Sequence, residues 1–281
     1  MNANILTAIV NIVNNPINEL RSFYRGRNRA NSMGEALENY LKDVFAGTLL
    51  ESDEQKRLER FEQVFSYQGN QNNPPDFMIR NGDAIEVKKI ENPGSALALN
   101  SSYPKAKLFS NSSMISAACR NSEVWKEKDI LYAVGVAKGN QLSRLFFVYG
   151  IDYAASADTY ERIRSVITSG VNNIPNVELA DTKEIGRVNR VDPLGITYLR
   201  IRGMWGIDNP VKVFSYIYTP TDSLFNFAAI INVEKYESFS TSDRINIENL
   251  VSKNFNITDA KIKTPDNPSV LKKVKLITLR R

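Results

Sequence analysis

The sequence predicts a single α/β domain in which helices flank a central β-sheet. Residues 130–137 and 145–149 are nearly continuous apolar runs, as in strands that are buried on both faces. The first third of the chain instead places apolar residues at helical spacing. No linker rich in proline, glycine or serine divides the 281 residues, so we assign them all to one domain, with a softer division near residue 150.

Three helices are predicted in the first third of the chain. Residues 3–14 repeat apolar side chains with the period of a helix. Ser32-Met33-Gly34-Glu35 is a capping-box pattern, which predicts that a second helix begins at Met33. A third helix is predicted over residues 54–65, with Leu58 and Phe61 on its buried side.

A hairpin and a second pair of strands are predicted next. Residues 77–80 and 84–90 are typical of strands, and Asn81-Gly82 between them is a strong signal for a tight turn. Residues 68–75 before them are polar and are predicted to form a loop. Gly139-Asn140 is expected in the turn that joins the two apolar runs, and residues 160–167 are predicted to be helical.

The second half alternates loops that contain proline or glycine with strand-like runs. Strands are predicted over residues 196–201, 211–218, 227–233 and 271–279, and a helix over residues 247–255. The last of the strand-like runs is basic. This half is therefore predicted to elaborate the α/β sheet of the first half.

Two residue types are missing or nearly so, and this excludes whole classes of function. The sequence has no histidine, which removes histidine-dependent catalysis and histidine-ligated zinc. A single cysteine, Cys119, removes disulfide frameworks, cysteine-rich zinc sites and iron–sulfur clusters. A bound metal would therefore need oxygen ligands, which favours magnesium, manganese or calcium.

The charge and hydropathy of the chain bear on its partners and location. Lys and Arg total 36 against 31 Asp and Glu, a net charge of +5 that is compatible with a nucleic-acid partner. No apolar run approaches the roughly 20 residues that span a bilayer. The first positively charged side chain is Arg21, too late for a secretory signal. We therefore expect a cytoplasmic protein that does not bind membranes.

The predicted hairpin brings two carboxylates and a lysine together. In its second strand, Ile85 and Val87 are expected to face the core. Strand alternation then places Glu86 and Lys88 together on the opposite face. Asp76 begins the partner strand, and the turn returns it toward Glu86. Two carboxylates without histidine suit a hard cation, so we predict a magnesium site formed by Asp76, Glu86 and the peptide carbonyl of Val87.

Such an arrangement is suited to the hydrolysis of a phosphodiester. Lys88 would lie beside the attacking water, where it could assist deprotonation of the water or neutralise charge on the phosphate. The simpler alternative is that Pro75-Asp76 forms an ordinary turn, and that Glu86 and Lys88 are neighbours on a solvated strand face. The pattern by itself does not separate the two interpretations.

The predicted helix that begins at Met33 offers a further candidate ligand. Glu35 and Glu38 lie three residues apart on one helix face, and a helix that precedes such a hairpin can supply a carboxylate to the metal. We single out Glu35 as the candidate, with Glu38 behind it. The structural alternative for Glu35 is the capping box itself, in which its side chain accepts the amide hydrogen of Ser32.

Polar and basic residues downstream of the predicted site are candidates for DNA binding. They follow the strand of Glu86 and would lie beside the scissile phosphate, where they could contact phosphates or base edges. They are Lys89, Asn100, Ser101, Ser102, Lys105 and Lys107. The alternative is an ordinary surface loop.

Two groups of arginines are further candidates for DNA contacts. Arg200 and Arg202 could read guanine in the major groove, although surface ion pairs are the alternative for each. An earlier group could clamp phosphates or simply solvate a loop. It comprises Arg21, Arg25, Arg27 and Arg29.

The local sequence around these residues resembles a known family. The resemblance rests on Asn73-Pro74-Pro75-Asp76, Ala84-Ile85-Glu86-Val87-Lys88-Lys89 and Leu99-Asn100-Ser101-Ser102-Tyr103-Pro104-Lys105. These segments are similar to type II restriction endonucleases of the PD-(D/E)xK superfamily, and in particular to the NgoPII family, whose members cut within GGCC. The resemblance implies a restriction-endonuclease-like core, in which helices flank a mixed central sheet. It also implies that Asp76, Glu86 and Lys88 form the catalytic triad, with Glu35 as an additional ligand.

The family resemblance also sets expectations for chemistry and partners. It implies magnesium-dependent cleavage of double-stranded DNA, with manganese as a substitute and no nucleotide cofactor, leaving a 5′-phosphate and a 3′-hydroxyl. A palindromic site implies a two-fold homodimer with one active site per strand. Residues 1–150 would then form the catalytic core with its N-terminal helices. Residues 151–281 would serve DNA recognition, dimerisation or both.

Two other functions stay open at the level of sequence. A repair or recombination nuclease could use the same core, although such proteins are often smaller and read DNA structure rather than sequence. A non-catalytic DNA-binding protein could keep the carboxylates for structural reasons. The length of chain beyond the predicted core strands favours recognition of a specific sequence.

Overall fold

The computed structural model describes residues 3–25, 30, 32–70, 73–182 and 184–281. Its helices are α1 (Ile5–Asn14), α2 (Leu20–Arg25), α3 (Met33–Ala46), α4 (Glu54–Val64), α5 (Ala117–Arg120), α6 (Ala157–Asn172), α7 (Pro210–Val213), α8 (Val233–Ser238) and α9 (Thr241–Glu248). Its strands are β1 (Phe65–Asn70), β2 (Asn73–Ile79), β3 (Ala84–Ile90), β4 (Leu97–Asn100), β5 (Lys107–Phe109), β6 (Glu127–Lys138), β7 (Gln141–Tyr149), β8 (Gly186–Asn189), β9 (Tyr198–Ile201), β10 (Trp205–Ile207), β11 (Asn226–Asn232), β12 (Phe255–Lys263) and β13 (Leu271–Arg280).

One mixed sheet of nine strands runs through the described part of the chain. Eight strands lie side by side in the order β1-β2-β3-β6-β7-β11-β13-β12, and β5 pairs with the beginning of β6. β3 and β6 are parallel, as are β7 and β11, and the other neighbouring strands are antiparallel. The predicted α/β fold, with helices around a mixed central sheet, is confirmed.

Both faces of this sheet are covered. On one face, the N-terminal helices bury Leu37, Leu41 and Phe45 against sheet residues such as Phe147. On the other face, Phe146 stacks on Phe214, which belongs to the segment after α7. Burial on both faces explains why β6 and β7 are nearly continuous apolar runs in the sequence.

The predicted helix starts are confirmed by their caps. The Asn4 side chain accepts the amide hydrogen of Thr7 at 3.0 Å, and α1 follows. At the start of α3, Ser32 Oγ accepts from the Glu35 amide, and the Glu35 carboxylate accepts from the Ser32 amide, both at 3.2 Å. Gly47 follows the end of α3 at a φ of 72°, in the left-handed region that glycine adopts without strain.

The prediction that Leu58 lies on the buried side of α4 is wrong. Leu58 is 45% exposed, whereas the neighbouring Arg57 is 3% exposed. Arg57 turns inward because its Nε donates to Asp43 Oδ1 at 2.7 Å and its guanidinium lies over the Phe61 ring at 4.4 Å. A buried ion pair, which an apolar pattern does not reveal, therefore sets the orientation of this helix.

The prediction of a loop over residues 68–75 is also wrong for residues 68–70 and 73–75, whereas residues 71 and 72 lie outside the described residues. β1 and β2 extend into this segment and pair from Phe65 and Ile79 to Asn70 and Asn73. β1 is an edge strand, and its backbone hydrogen bonds do not require apolar side chains. A polar segment can therefore be a strand, which composition alone does not indicate.

Two predictions in the second half are wrong for local reasons. Residues 211–218 form α7 and turns rather than a strand, because the Asn209 side chain accepts from the Lys212 amide at 3.1 Å and Pro210 occupies the first helical turn. The helix predicted over residues 247–255 is almost absent, since α9 ends at Glu248 and β12 begins at Phe255. Both errors lie where a cap or a strand pairing overrides the apolar pattern.

The other strand and helix predictions are confirmed. β2, β3 and the turn between them form the predicted hairpin, and β6 and β7 form the second pair. β11 and β13 cover the runs predicted over residues 227–233 and 271–279. β9 covers the end of the strand predicted over residues 196–201, and α6 contains the predicted helix.

The central sheet crosses the softer division near residue 150. β11, β12 and β13 come from the C-terminal half and complete the sheet. α6 and the two-stranded sheet of β8 and β9 lie outside it. The assignment of separate roles to residues 1–150 and 151–281 stays a prediction. Among the described residues, no helix combines the length and the apolar character that crossing a membrane requires.

Candidate active site

The β2–β3 hairpin places the predicted catalytic side chains side by side. Phe77 pairs with Ile85 across the hairpin, so Asp76 and Glu86 are neighbours at the next step of the register. The turn depends on Asn81, which has a φ of 55°, a conformation that asparagine tolerates better than most residues. Local turn chemistry therefore fixes which residues meet at the candidate site.

Hydrogen bonds hold the three side chains in place. Lys88 Nζ donates to Glu86 Oε1 at 2.6 Å. The Val87 amide donates to Asp76 Oδ2, also at 2.6 Å. The predicted alternation is confirmed, because Ile85 and Val87 contact the core beneath the N-terminal helices while Glu86 and Lys88 share the opposite face. The structure thus brings together Asp76, Glu86 and Lys88.

Burial and charge alter the protonation of the site. Burial is the largest cause that raises the pKa of Asp76, to about 7, and the nearby Glu86 charge adds to this shift. The Val87 amide and the Lys88 ammonium oppose it. Burial would lower the pKa of Lys88, but Glu86 and Asp76 outweigh this effect and raise it. Near neutral pH the Lys88 ammonium is therefore charged, and the Asp76 carboxyl group is protonated in only part of the molecules.

One carboxylate oxygen in the site has no partner. Glu86 Oε2 is buried and accepts no hydrogen bond from the described residues. Leaving a charged oxygen unsatisfied away from water is unfavourable, and a bound cation would satisfy it. Two carboxylates and the Val87 carbonyl are the oxygen donors that magnesium prefers, so these residues fit the predicted ion.

The metal site would be completed by ligands from outside the protein. Within the described residues, no group of three or more His, Cys, Asp and Glu side chains is arranged to hold a metal. Magnesium commonly keeps several waters and is bound through one or two carboxylates together with substrate phosphate oxygens. The sparse donor set is therefore compatible with an ion that binds together with a phosphodiester.

The structure separates the two candidate carboxylates of α3. Glu35 is engaged in the capping box with Ser32. Glu38 pairs with Lys42 at 2.7 Å, and its charge contributes to the raised pKa of Asp76. Glu38 is thus the α3 carboxylate that acts electrostatically on the site, although the sequence analysis preferred Glu35. The role of Glu35 as a ligand stays a prediction.

The predicted DNA-binding loop lies partly over the site and partly outside it. The Lys105 amide donates to the Tyr132 hydroxyl at 2.7 Å, and Tyr132 is the partner of Glu86 in the β3–β6 register. Lys89 instead pairs with Glu91 at 2.8 Å, and Lys107 pairs with Glu127 at 2.6 Å. Lys105 is therefore the loop lysine that the fold holds at the site.

The remaining polar loop residues take different positions. Asn100 ends β4 at a φ of 53°. Ser101 follows it beside Arg164 and Trp205 in a cavity of about 380 Å³. The Ser102 hydroxyl accepts a hydrogen bond from the Lys105 ammonium. Their predicted contacts with DNA stay predictions.

The arginine candidates lie away from the β2–β3 hairpin. Arg200 and Arg202 are on or next to β9 and both pair with Glu184, at 2.8 and 2.5 Å. These are exposed ion pairs, the alternative that the sequence analysis weighed. Arg21 and Arg25 belong to α2, whereas Arg27 and Arg29 lie outside the described residues. Among the described residues, Arg21, Arg25, Arg200 and Arg202 form no hydrogen bond or ion pair with Asp76, Glu86 or Lys88.

Sequence reasoning missed Tyr132. This side chain is 2% exposed, lies next to Glu86 across the sheet and anchors the loop of Lys105. Its position depends on the register of two parallel strands that are more than 40 residues apart in sequence. The alternation of side chains along β6 could show on which face of the sheet Tyr132 lies. It could not show which residue of the neighbouring strand lies beside it.

Comparisons with known proteins identify the family of this chain. The sequence model of the NgoPII restriction endonuclease family matches residues 3–263. The chain is also 52% identical over 277 residues to a protein of Neisseria gonorrhoeae described as type II restriction enzyme NgoPII, which covers 98% of this chain and 99% of the relative. No solved structure matches the chain significantly. The matched region contains the whole β2–β3 hairpin and the loop after it.

Proposed function

This chain belongs to the NgoPII restriction endonuclease family, and on that basis we propose that it is a magnesium-dependent enzyme that cuts double-stranded DNA at a palindromic GGCC-type site. It is a type II restriction enzyme, a site-specific deoxyribonuclease. The observation that supports the proposed chemistry is the buried, unsatisfied Glu86 Oε2 beside Asp76 and Lys88. We expect the enzyme to act in the cytoplasm.

The side chains divide the work of phosphodiester hydrolysis. Asp76, Glu86 and the Val87 carbonyl would hold magnesium, with manganese as a substitute. Magnesium, when bound, supplies positive charge that polarises the phosphate and lowers the pKa of water. Lys88 is held by Glu86 and offers its remaining N–H groups to the phosphate or to the attacking water. The products would carry a 5′-phosphate and a 3′-hydroxyl.

The raised pKa of Asp76 has a role in this proposal. Without a cation, the Asp76 carboxyl binds a proton up to a pH of about 7, which limits repulsion with Glu86. A metal ion would have to displace this proton, so metal affinity should rise with pH. Burial of the two carboxylates thus makes binding of a cation more favourable than a metal-free state in which both carboxylates are ionised.

A homodimer would suit a palindromic DNA site. The two-fold symmetry of a palindromic DNA sequence is matched by a protein dimer that places one β2–β3 hairpin at each DNA strand. In support, α6 is a 16-residue helix with no buried residue, and it exposes Ile163, Val166 and Ile167. An exposed apolar helix face of this kind is typical of a surface that another protein covers.

Digestion of unmethylated phage DNA by the purified protein tests the function. We expect discrete fragments with magnesium and intact DNA with a chelator, and sequencing of the ends tests GGCC directly. A smear would instead support a repair or recombination nuclease. Intact DNA under both conditions, with protein shown to be folded, would support a non-catalytic DNA-binding protein.

Glu86→Gln tests whether cleavage depends on the candidate site. The change keeps the shape of the side chain but removes the charge that attracts the cation and holds Lys88, so we expect cleavage to fall by at least about 100-fold. DNA binding should persist in a gel-shift assay. Glu91→Gln is the matched control, because Glu91 is an exposed carboxylate on the same segment. Equal cleavage by both variants would contradict the assignment.

A further inference from the structure

Lys105 is a buried lysine above the catalytic strands. It is 7% exposed, and its amide is fixed to the hydroxyl of Tyr132. Tyr132 lies on β6, next to Glu86 on β3, whereas Asp76 lies on the β2 side of Glu86. Lys105 is therefore held through Tyr132, which lies on the side of Glu86 opposite to Asp76.

The Lys105 ammonium has only neutral partners among the described residues. It donates to the Ser102 hydroxyl and, at 3.4 Å, to the Tyr103 carbonyl oxygen, and it lies 5.3 Å from the centre of the Tyr103 ring. Two other buried or half-buried lysines are paired with carboxylates, Lys128 with Glu123 and Lys235 with Asp83. A buried cation without a counter-ion is unfavourable, so this one is poised for an anion.

A cavity borders the Lys105 residue. Lys105 lines a cavity of about 730 Å³ between its own loop and the start of α6. The carboxylates of this cavity, Asp158, Glu161 and Asp266, belong to α6 and to the connection between β12 and β13. Glu161 already accepts from the Tyr103 hydroxyl at 2.7 Å, and Asp266 accepts from the Ser156 amide at 2.9 Å. The loop that carries Lys105 and Lys107 contributes no carboxylate to this cavity, whereas Arg164 lies on α6 with two of the acidic residues.

We propose that Lys105, with the Ser102 hydroxyl, forms a binding site for a DNA phosphate that flanks the cleaved one. This inference rests on the proposed function, because the anion is a phosphodiester of the bound substrate. Lys88 is the lysine that contacts Glu86 and serves the cleaved phosphate, whereas Lys105 is held by Tyr132, the β6 neighbour of Glu86. Burial also lowers the pKa of Lys105 to about 8, a shift that the Glu86 charge opposes and the Lys88 charge reinforces. A bound phosphate would raise this pKa again and favour the charged form.

Binding to singly modified DNA tests this site. Full-length wild type and Lys105→Gln are titrated by fluorescence anisotropy in calcium, an ion that takes the same oxygen ligands. The probes are duplexes that carry the mapped cleavage site and one uncharged methylphosphonate at each successive position. We expect Lys105→Gln to weaken binding of the unmodified duplex about 10- to 100-fold. One methylphosphonate next to the cleaved position should weaken wild-type binding similarly and should not weaken binding of the variant further.

The outcomes separate a contact from a structural effect. If every methylphosphonate weakens wild type and variant by equal factors, or if Lys105→Gln binds unmodified DNA as wild type does, Lys105 contacts no single phosphate and the inference is overturned. Lys105→Arg keeps the charge and should restore most of the binding. Lys253→Gln removes an exposed lysine and should leave the position dependence unchanged.

Stability and cleavage give the remaining controls. Lys105→Gln removes a buried charge that has no counter-ion, so its Tm should not fall below that of wild type. A fall in Tm together with additive losses would assign Lys105 a structural role and overturn the inference. If wild type fails to cut DNA with magnesium, the proposed function fails as well. If wild type cuts and the losses are additive, only the flanking-phosphate site fails.

Discussion

Asp76 couples the stability of the metal-free protein to pH. Its pKa is raised from 3.8 to about 7, so the folded protein binds a proton more tightly than the unfolded chain does. The resulting stabilisation is complete below pH 3.8 and is lost as the pH rises to about 7. We expect the Tm in a chelator to fall over this window in wild type. Asp76→Asn should remove that part of the pH dependence, as thermal unfolding across pH would show.

Glu38 and Glu35 provide a matched pair of substitutions. Glu38 raises the pKa of Asp76, so Glu38→Gln should move the pH-dependent fall in Tm to lower pH. Glu35→Gln should leave that window in place and weaken only the cap of α3, by about 1 kcal/mol or less. The measurement is the same Tm profile in a chelator. A shift produced by Glu35→Gln and not by Glu38→Gln would reverse the assignment of these carboxylates.

At the scale of elements, a buried ionic cluster joins α3 to α4 and α2. Asp43 accepts hydrogen bonds from Tyr24, Thr48 and Arg57, at 2.7, 2.6 and 2.7 Å, and is fully buried. Removing one partner of a buried ion pair leaves the other uncompensated, which typically costs about 3–5 kcal/mol. We expect Asp43→Ala to lower the free energy of unfolding by that amount in urea titrations. Glu59→Ala, on the exposed side of α4, should change it by less than about 0.5 kcal/mol.

Capping and turn signals were the most reliable guides to the elements. Asn81-Gly82 predicted the hairpin, and Ser32 with Glu35 predicted the start of α3, because both patterns act through the backbone a few residues away. Two of the predictions that failed depended on distant partners. Leu58 is exposed because Asp43 draws Arg57 inward, and residues 68–70 and 73–75 are strands because β1 pairs with β2.

At the scale of the molecule, the exposed apolar face of α6 predicts where two copies meet. Val166 and Ile167 are 63% and 48% exposed, and a charge there would prevent close packing. We expect wild type to be a dimer by light scattering, and Ile167→Glu to be a monomer that cuts palindromic DNA poorly. Ser165→Glu, on the other side of the helix, should stay dimeric. A dimeric Ile167→Glu would place the interface elsewhere, and a monomeric wild type would contradict the dimer itself.

The sequence by itself determined the hairpin that carries Asp76, Glu86 and Lys88, and it excluded histidine-dependent catalysis, disulfide frameworks and cysteine-rich metal sites. These features follow from strand alternation, a two-residue turn and composition, which are all local. Only the tertiary structure decided that Tyr132 lies beside Glu86, that the Glu38 charge acts on Asp76, and that Lys105 is buried. Those facts depend on the register of parallel strands and on the packing of a helix and a loop against the sheet. Local periodicity does not encode such contacts, because they join residues that are far apart in the chain.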